Sequence, residues 1–235
     1  MRIIILDTET TGLDPSNGHR IIEIGCIEVI NMEKTGRVFH HYINPERDVP
    51  EESYRITGIA TEFLYDKPKF AEIANDFLDF IEGGTLVIHN AQFDVNFINS
   101  ELSRLALPTI NIKKNVIDTL AMARKKFPGA PASLNALCKK FNVDLSKRDK
   151  HGALLDSELL FDVYVNLMGG KQVSLGLEAS VKKVSLVEAG YVKESVMASI
   201  STKEFRAPRE HNPTEEELKR HQEFIAKIKE AIWSN

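Results

Sequence analysis

The chain has 235 residues, 43% hydrophobic and 27% charged, with a formal net charge of −4. That length buries one substantial core and leaves room for a tail, in proportions ordinary for a globular protein. It has no run of about eighteen apolar residues, which excludes a membrane-spanning helix, and Met1–Leu6 is too short for a secretion signal.

Arg2–Leu6 is rich in β-formers and runs into Asp7-Thr-Glu-Thr-Thr-Gly12, expected as a turn. Ile21–Ile30 and Arg37–Ile43 predict two further strands, with residues 31–36 as the hairpin loop between them. Three strands with short links predict an antiparallel meander. The period then changes. Phe70, Ile73, Ala74, Phe77, Leu78 and Ile81 recur at helical spacing until Gly83-Gly84. Leu86–Ile88 predicts a short buried strand, followed by a helix over about 92–105. Val116-Ile117 predicts another strand, with helices around 119–126 and 133–141. A last strong helix carries Leu155, Leu159, Leu160, Val163 and Leu167 and ends at Gly169-Gly170. Antiparallel strands followed by alternating strands and helices predict an α/β fold, a mixed sheet flanked by helices, in a domain over about 1–170.

Residues 171–212 show no sustained periodicity and read as a flexible linker, with short strands such as 180–186 as the alternative. Thr214 and Glu217 then form a capping box that opens a helix with Leu218, Ile225, Ile228 and Ile232 on one face. An isolated amphipathic helix must bury that face, either on a partner or back on the domain. Cys26 and Cys138 lie far apart with no second Cys or His at ligand spacing, and read as reduced thiols of a cytoplasmic protein.

Three short stretches could carry chemistry. Asp7 and Glu9 lie two apart at a strand end, so both can project to one side. His89-Asn-Ala-Gln-Phe-Asp94 follows a buried strand and opens a helix, at the carboxyl edge of a sheet. His151-Gly-Ala-Leu-Leu-Asp156 places a histidine on a mobile loop just before a helix and, about one and a half turns further on, an acid on that helix. Clustered carboxylates suit hard divalent cations, and a neutral histidine can take a proton from water near physiological pH. Each stretch alone has an ordinary explanation: solvated acids, a helix-dipole aspartate, a surface histidine. The basic run Lys147-Arg148-Asp-Lys150 could neutralise substrate phosphates or form a solvated loop.

In this order, however, Asp7-Thr-Glu-Thr-Thr-Gly-Leu13, His89-Asn-Ala-x-Phe-Asp94 and His151-Gly-Ala-x-x-Asp156 resemble the three motifs of the DEDDh exonucleases of the DnaQ-like superfamily. Among these they are most similar to the proofreading epsilon subunits of bacterial DNA polymerase III. Asp118–Arg124 and Ser133–Cys138 resemble the same subunits. The resemblance implies a ribonuclease H-like fold and metal-dependent 3′→5′ hydrolysis of DNA. Asp7, Glu9, Asp94 and Asp156 would hold two Mg²⁺ or Mn²⁺ ions, and His151 would be the general base. Thr10, His89, Asn90 and Phe93 would line the pocket for the terminal nucleotide. Many relatives have His-Gly where this chain has Thr57-Gly58, so a pocket contact there is lost or taken over by the hydroxyl.

In the tail, Gln172-Val-Ser-Leu-Gly-Leu177 resembles the bacterial sliding-clamp peptide, with Gln172, Ser174, Leu175 and Leu177 as its contacts. By the same resemblance the helix of 213–235 would dock on the polymerase α subunit and place the enzyme at the primer 3′ end, in the cytoplasm with the replisome. Short anchors on a linker raise local concentration. They also accommodate the acidic balance, since a free nucleic-acid binder is usually basic and here a partner would hold the DNA. The rival readings are a free-standing exoribonuclease of the same chemistry and a non-catalytic scaffold joining clamp and polymerase.

Overall fold

Ile3, Ile4, Ile5 and Leu6 are all buried, on both faces of one strand. The computed structural model, which describes residues 1–146, 148–169 and 213–227, builds its sheet outward from that strand. Strands β1 (Arg2–Thr10), β2 (Ile21–Ile30) and β3 (Glu33–Tyr42) form the expected antiparallel meander, and β4 (Thr85–Ile88) and β5 (Val116–Asp118) add parallel strands on the other side. The spatial order is β3-β2-β1-β4-β5. The helices are α1 (Glu51–Thr57), α2 (Thr61–Leu64), α3 (Phe70–Ile81), α4 (Ala91–Arg104), α5 (Ile112–Asn115), α6 (Thr119–Lys126), α7 (Leu134–Phe141), α8 (Ala153–Leu167) and α9 (Glu215–Ile225).

Alternation along the strands sorts the core into two layers. Ile4 and Leu6 of β1, with Ile24 and Cys26 of β2, pack with Phe70, Phe77, Val95 and Ile98 of α3 and α4. Ile3 and Ile5, with Ile27 and Val29, pack with Leu137 of α7 and Leu160 and Val163 of α8. The mixed sheet flanked by helices is therefore the observed fold. The same alternation decides which polar groups meet at the sheet's carboxyl edge.

Three local expectations are corrected. Asp7–Thr10 is strand rather than turn: Asp7 pairs with Gly25, Thr8 with Ile24 and Glu9 with Glu23, and after a register shift at Glu9/Thr10 the ladder closes with Thr10 opposite Ile21. Asp7 and Glu9 are residues that strands disfavour, but β-branched Thr8 and Thr10 and a neighbouring strand to pair with override that preference. The third strand starts at Glu33, not Arg37. Asn31 and Met32 both have positive φ, 53° and 67°, so a two-residue hairpin suffices and no six-residue loop is needed. Helices α1, α2 and α5 are absent from the sequence reading, being too short to show a period.

The chain divides into two units, Met1–Leu177 and Glu178–Asn235. Within the second, α9 carries the capping box: the Thr214 side chain accepts from Glu217 N, and Glu217 Oε2 accepts from Thr214 N at 2.8 Å. Its residues are exposed or half-buried. The expected linker at 171–212, the clamp-type peptide at 172–177, the alternative strand at 180–186, and Ile228 and Ile232 lie outside the described residues. Among those described, no helix is long and apolar enough to cross a membrane.

Candidate active site

On β1 the odd positions face α8, and Asp7 and Glu9 continue that face beyond Ile3 and Ile5. Their cross-strand partners on β2 are Gly25 and Glu23. Glycine at 25 is a packing requirement, because a Cβ there would lie 2.3–2.5 Å from the backbone of Ala153 and Leu154. The first turn of α8 thus rests on the β2 backbone, and Ser157 Oγ donates to Gly25 O at 2.8 Å. Buried Glu23 accepts from Ala153 N (3.1 Å) and contacts His40 Nε2 (2.7 Å). This acid supplies the N-terminal acceptor that Gly152 cannot, since α8 has no side-chain cap of its own. Asp156, in that first turn, is thereby brought to Glu9.

Thr8 is an even position and faces α4. Its backbone N and Oγ1 both donate to Asp94 Oδ1, at 3.0 and 2.8 Å, and fix that carboxylate in the first turn of α4. The turn before α4 is equally constrained. Asn90 adopts the left-handed conformation (φ 64°), and its N–H donates to Asp118 Oδ1 at 3.1 Å. His89 Nδ1 lies 2.9 Å from Thr119 Oγ1.

The sites expected from the sequence separate accordingly. Glu9, His151 and Asp156 offer ligand atoms that all lie within 4.8 Å of one another. Asp7 and Asp94 belong to the same cluster electrostatically. Burial pushes Glu9 up to about 8, with Asp156, Glu23 and Asp94 adding to the rise and Arg148 opposing it. Burial likewise pushes Asp94 up to about 7 against the stabilising bonds from Thr8. Asp7 is raised well above the ordinary carboxylate range, by burial first and then by Asp94, Glu9, Asp156 and Glu23. Thr10, Thr57, Phe93 and His151 line a cleft of about 680 Å³ beside Glu9, together with Leu13, Ser53 and Ile56. His89 and Asn90 are not among its lining residues. The Thr57 hydroxyl is engaged within its own turn, donating to Ser53 O (3.0 Å) and accepting from Ile59 N (3.1 Å).

His151 sits on a fastened rather than a loose segment: its N–H donates to Ile56 O at 3.1 Å, and Lys150 Nζ donates to Arg55 O at 2.6 Å. Within the basic run, for which phosphate neutralisation and a solvated loop are the two readings, Arg148 follows neither. Arg148 turns inward, with Nε 2.5 Å from Asp156 Oδ1 and Nη2 2.6 Å from Asp156 Oδ2. The sequence pattern does not single out this pairing, nor Thr8, nor Gly25. Glu23 does leave a trace, as one acid inside the apolar run Ile21-Ile-Glu-Ile-Gly-Cys-Ile27.

With this geometry in view, the relatives fall into place. Residues 4–164 match the exonuclease family represented by RNase T. DNA polymerase III subunit epsilon of Rickettsia typhi is 53% identical, over 97% of this chain and 97% of its own length. The subunit of the same name from Escherichia coli is 51% identical, over 72% of each chain. Among solved structures, exonuclease X in complex with 5′-overhanging duplex DNA superposes with a TM-score of 0.55 at 26% identity, covering 71% of this chain and 90% of that one. The nuclease domain of 3′hExo, a DEDDh family member bound to rAMP, matches in fold with a TM-score of 0.62 at 21% identity, covering 71% and 91%. A carboxylate cluster at the carboxyl edge of this mixed sheet and a family match spanning most of the chain agree: the chain belongs to the DnaQ-like exonucleases, alongside the epsilon subunits of DNA polymerase III.

Proposed function

We propose that this chain is a divalent-metal-dependent 3′→5′ exodeoxyribonuclease that removes mispaired nucleotides from a primer end as the proofreading subunit of a replicative DNA polymerase. The observation that carries the reading is the convergence of Glu9, His151 and Asp156 within 4.8 Å beside the cleft.

The donor set fits hard divalent cations such as Mg²⁺ or Mn²⁺. It is rich in carboxylate oxygens, and burial with mutual repulsion leaves Asp7, Glu9 and Asp94 holding protons well above the ordinary range. Asp7, Glu9, Asp94 and Asp156 would hold two such ions, whose positive charge would stabilise the attacking and leaving oxygens of the phosphodiester. His151 has its pKa lowered, by burial first and then by Arg148, so the neutral ring that can take a proton from the attacking water is the dominant form near neutral pH. Phe93, Thr10 and Gly12 line the cleft, where an aromatic face suits a nucleobase and the bend that follows Thr10 suits a sugar. His89 and Asn90 would act through the turn they build at the start of α4, which fixes Phe93 and Asp94.

Relatives named as subunits of DNA polymerase III support a tethered role. Residues 172–177 would bind the sliding clamp, and the helix capped by Thr214 would bind the polymerase. The test uses single-stranded DNA and RNA oligomers labelled at either end, with Mg²⁺ and with chelator. The expected result is stepwise release of nucleoside monophosphates from the 3′ end of DNA, abolished by chelator. Absence of release would refute the enzyme reading, and preference for RNA would refute the proofreading one. Removing residues 171–235 is expected to spare cleavage and abolish co-purification with the polymerase. Retained association would overturn the tether.

A further inference from the structure

Arg148 is placed where the proposed reaction needs a cation. Its side chain is only 6% exposed, and its guanidinium spans both oxygens of Asp156, itself 4% exposed. The same Nη2 lies 3.0 Å from His151 Nδ1 and 3.4 Å from Nε2. One planar group therefore touches two of the three residues whose donor atoms cluster within 4.8 Å. A guanidinium is always charged and only donates, so it takes the carboxylate lone pairs that a divalent cation would use.

We propose that Arg148 is an internal counter-cation that competes with the divalent metal for Asp156, so that metal loading exchanges guanidinium for metal at this carboxylate. The inference rests on Asp156 being a metal ligand, as proposed above. Three observations support exchange over permanent pairing. First, Asp156 has two oxygens and Arg148 uses both, at 2.5 and 2.6 Å. Second, Arg148 has another anchor: Nη1 donates to Asn135 Oδ1 of α7 at 2.6 Å, so the side chain keeps a partner after letting go of the acid. Third, the backbone around it is tied down, with Arg148 N on Leu145 O at 2.9 Å and His151 N on Ile56 O at 3.1 Å. Release then requires a side-chain rotation and no movement of the loop. The exchange has a use. Five acids, Asp7, Glu9, Glu23, Asp94 and Asp156, surround one another here, and a resident positive charge keeps Asp156 aimed inward until metal arrives. It also sets a threshold, because a cation must outcompete the guanidinium to bind.

Linkage makes the effect reciprocal: if Arg148 opposes metal, metal must loosen Arg148. The experiment measures Mn²⁺ binding by calorimetry on the full chain, as wild type, Arg148→Gln and Arg148→Lys. Arg148→Gln is expected to bind roughly ten- to a hundredfold more tightly, the range of an ordinary coupling between sites. Arg148→Lys keeps the charge but cannot bridge both oxygens, and is expected to fall between. A second readout needs no variant. In ¹⁵N-labelled wild type, the Arg148 Nε–H resonance, held by Asp156, is expected to shift and exchange faster with solvent on adding Mg²⁺. Binding by wild type with Arg148→Gln equal or weaker, or an Nε–H resonance that stays put under saturating Mg²⁺, would overturn the exchange while leaving the metal site standing. A wild-type chain that binds no Mn²⁺ would overturn the metal-site reading, and the exchange with it.

Discussion

A histidine can serve as base only while neutral, and two features hold His151 in that state. Partial burial disfavours the imidazolium, and Arg148 beside it disfavours a second positive charge, against a smaller opposing pull from Asp156. His151→Ala is therefore expected to lower kcat by roughly two to four orders of magnitude with little change in KM, read from single-turnover and steady-state hydrolysis of a short DNA. An unchanged kcat would remove it from the mechanism. The side chain is 45% exposed, so the variant should keep its melting temperature. Thr8 acts one step further out. Thr8→Val keeps the shape and the backbone donor but deletes the 2.8 Å bond to Asp94. Metal affinity should weaken by about tenfold, as for other groups that orient a ligand, and calorimetry with Mn²⁺ would show it. The five acids and bases of the motifs are legible in the sequence because their spacing is local. Thr8 and Arg148 are not, because their partners lie 86 and 8 residues away and nothing local marks the contact.

Helix α8 brings Asp156 to the sheet, with His151 two residues before its start, and its position is set by one missing side chain. Opposite Asp7, residue 25 has only a hydrogen where the α8 backbone passes. Gly25→Ala would press a methyl group into Ala153 and Leu154 at 2.3–2.5 Å, and a backbone cannot yield as a flexible side chain can. Moving α8 outward would break the Ser157–Gly25 and Ala153–Glu23 bonds together. The expected cost is at the upper end of the about 1–3 kcal/mol typical of overpacking, with a matching fall in melting temperature and near-complete loss of cleavage. Wild-type cleavage by Gly25→Ala would contradict this account of how α8 docks. At this scale the sequence shows the long periodic elements well: α3, α4 and α8 fall where the apolar spacing places them. It misplaces the end of β1 and the start of β3, since both boundaries are decided by pairing with β2 and by a two-residue turn rather than by composition. The docking of α8 on Gly25 is invisible in sequence because any strand glycine reads as a weak point.

Folding gathers acids that the unfolded chain keeps apart, and the whole molecule bears the consequence in its pH dependence. Glu9 rises from its ordinary value of 4.5 to about 8 in the folded protein, through burial first and then the charges of Asp156, Glu23 and Asp94. An acid with a raised folded pKa keeps its proton in the native state after the unfolded state has lost it. Between about pH 4.5 and 8, then, the native state binds more protons, and this site's contribution to stability falls as pH rises. Below that window both states are protonated and the penalty vanishes. On the proposed reading divalent cations would act in the opposite direction, since they would bind the native cluster and compete with its protons, so their stabilisation should grow over the same window. Glu9→Gln isolates the effect, because the amide is close in shape and never ionises. Without divalent cations, Glu9→Gln is expected to be more stable than wild type at pH 8 by at least about 1 kcal/mol, less than one unit's worth of the shift, and indistinguishable from it at pH 4. With saturating Mg²⁺ at pH 8 the order should reverse, as the variant loses a ligand. Denaturant titrations at the two pH values, with and without Mg²⁺, give all four comparisons. A stability difference that ignores pH would mean Glu9 is not strained by its neighbours, and one that ignores Mg²⁺ would mean the strained acids are not there to hold a cation.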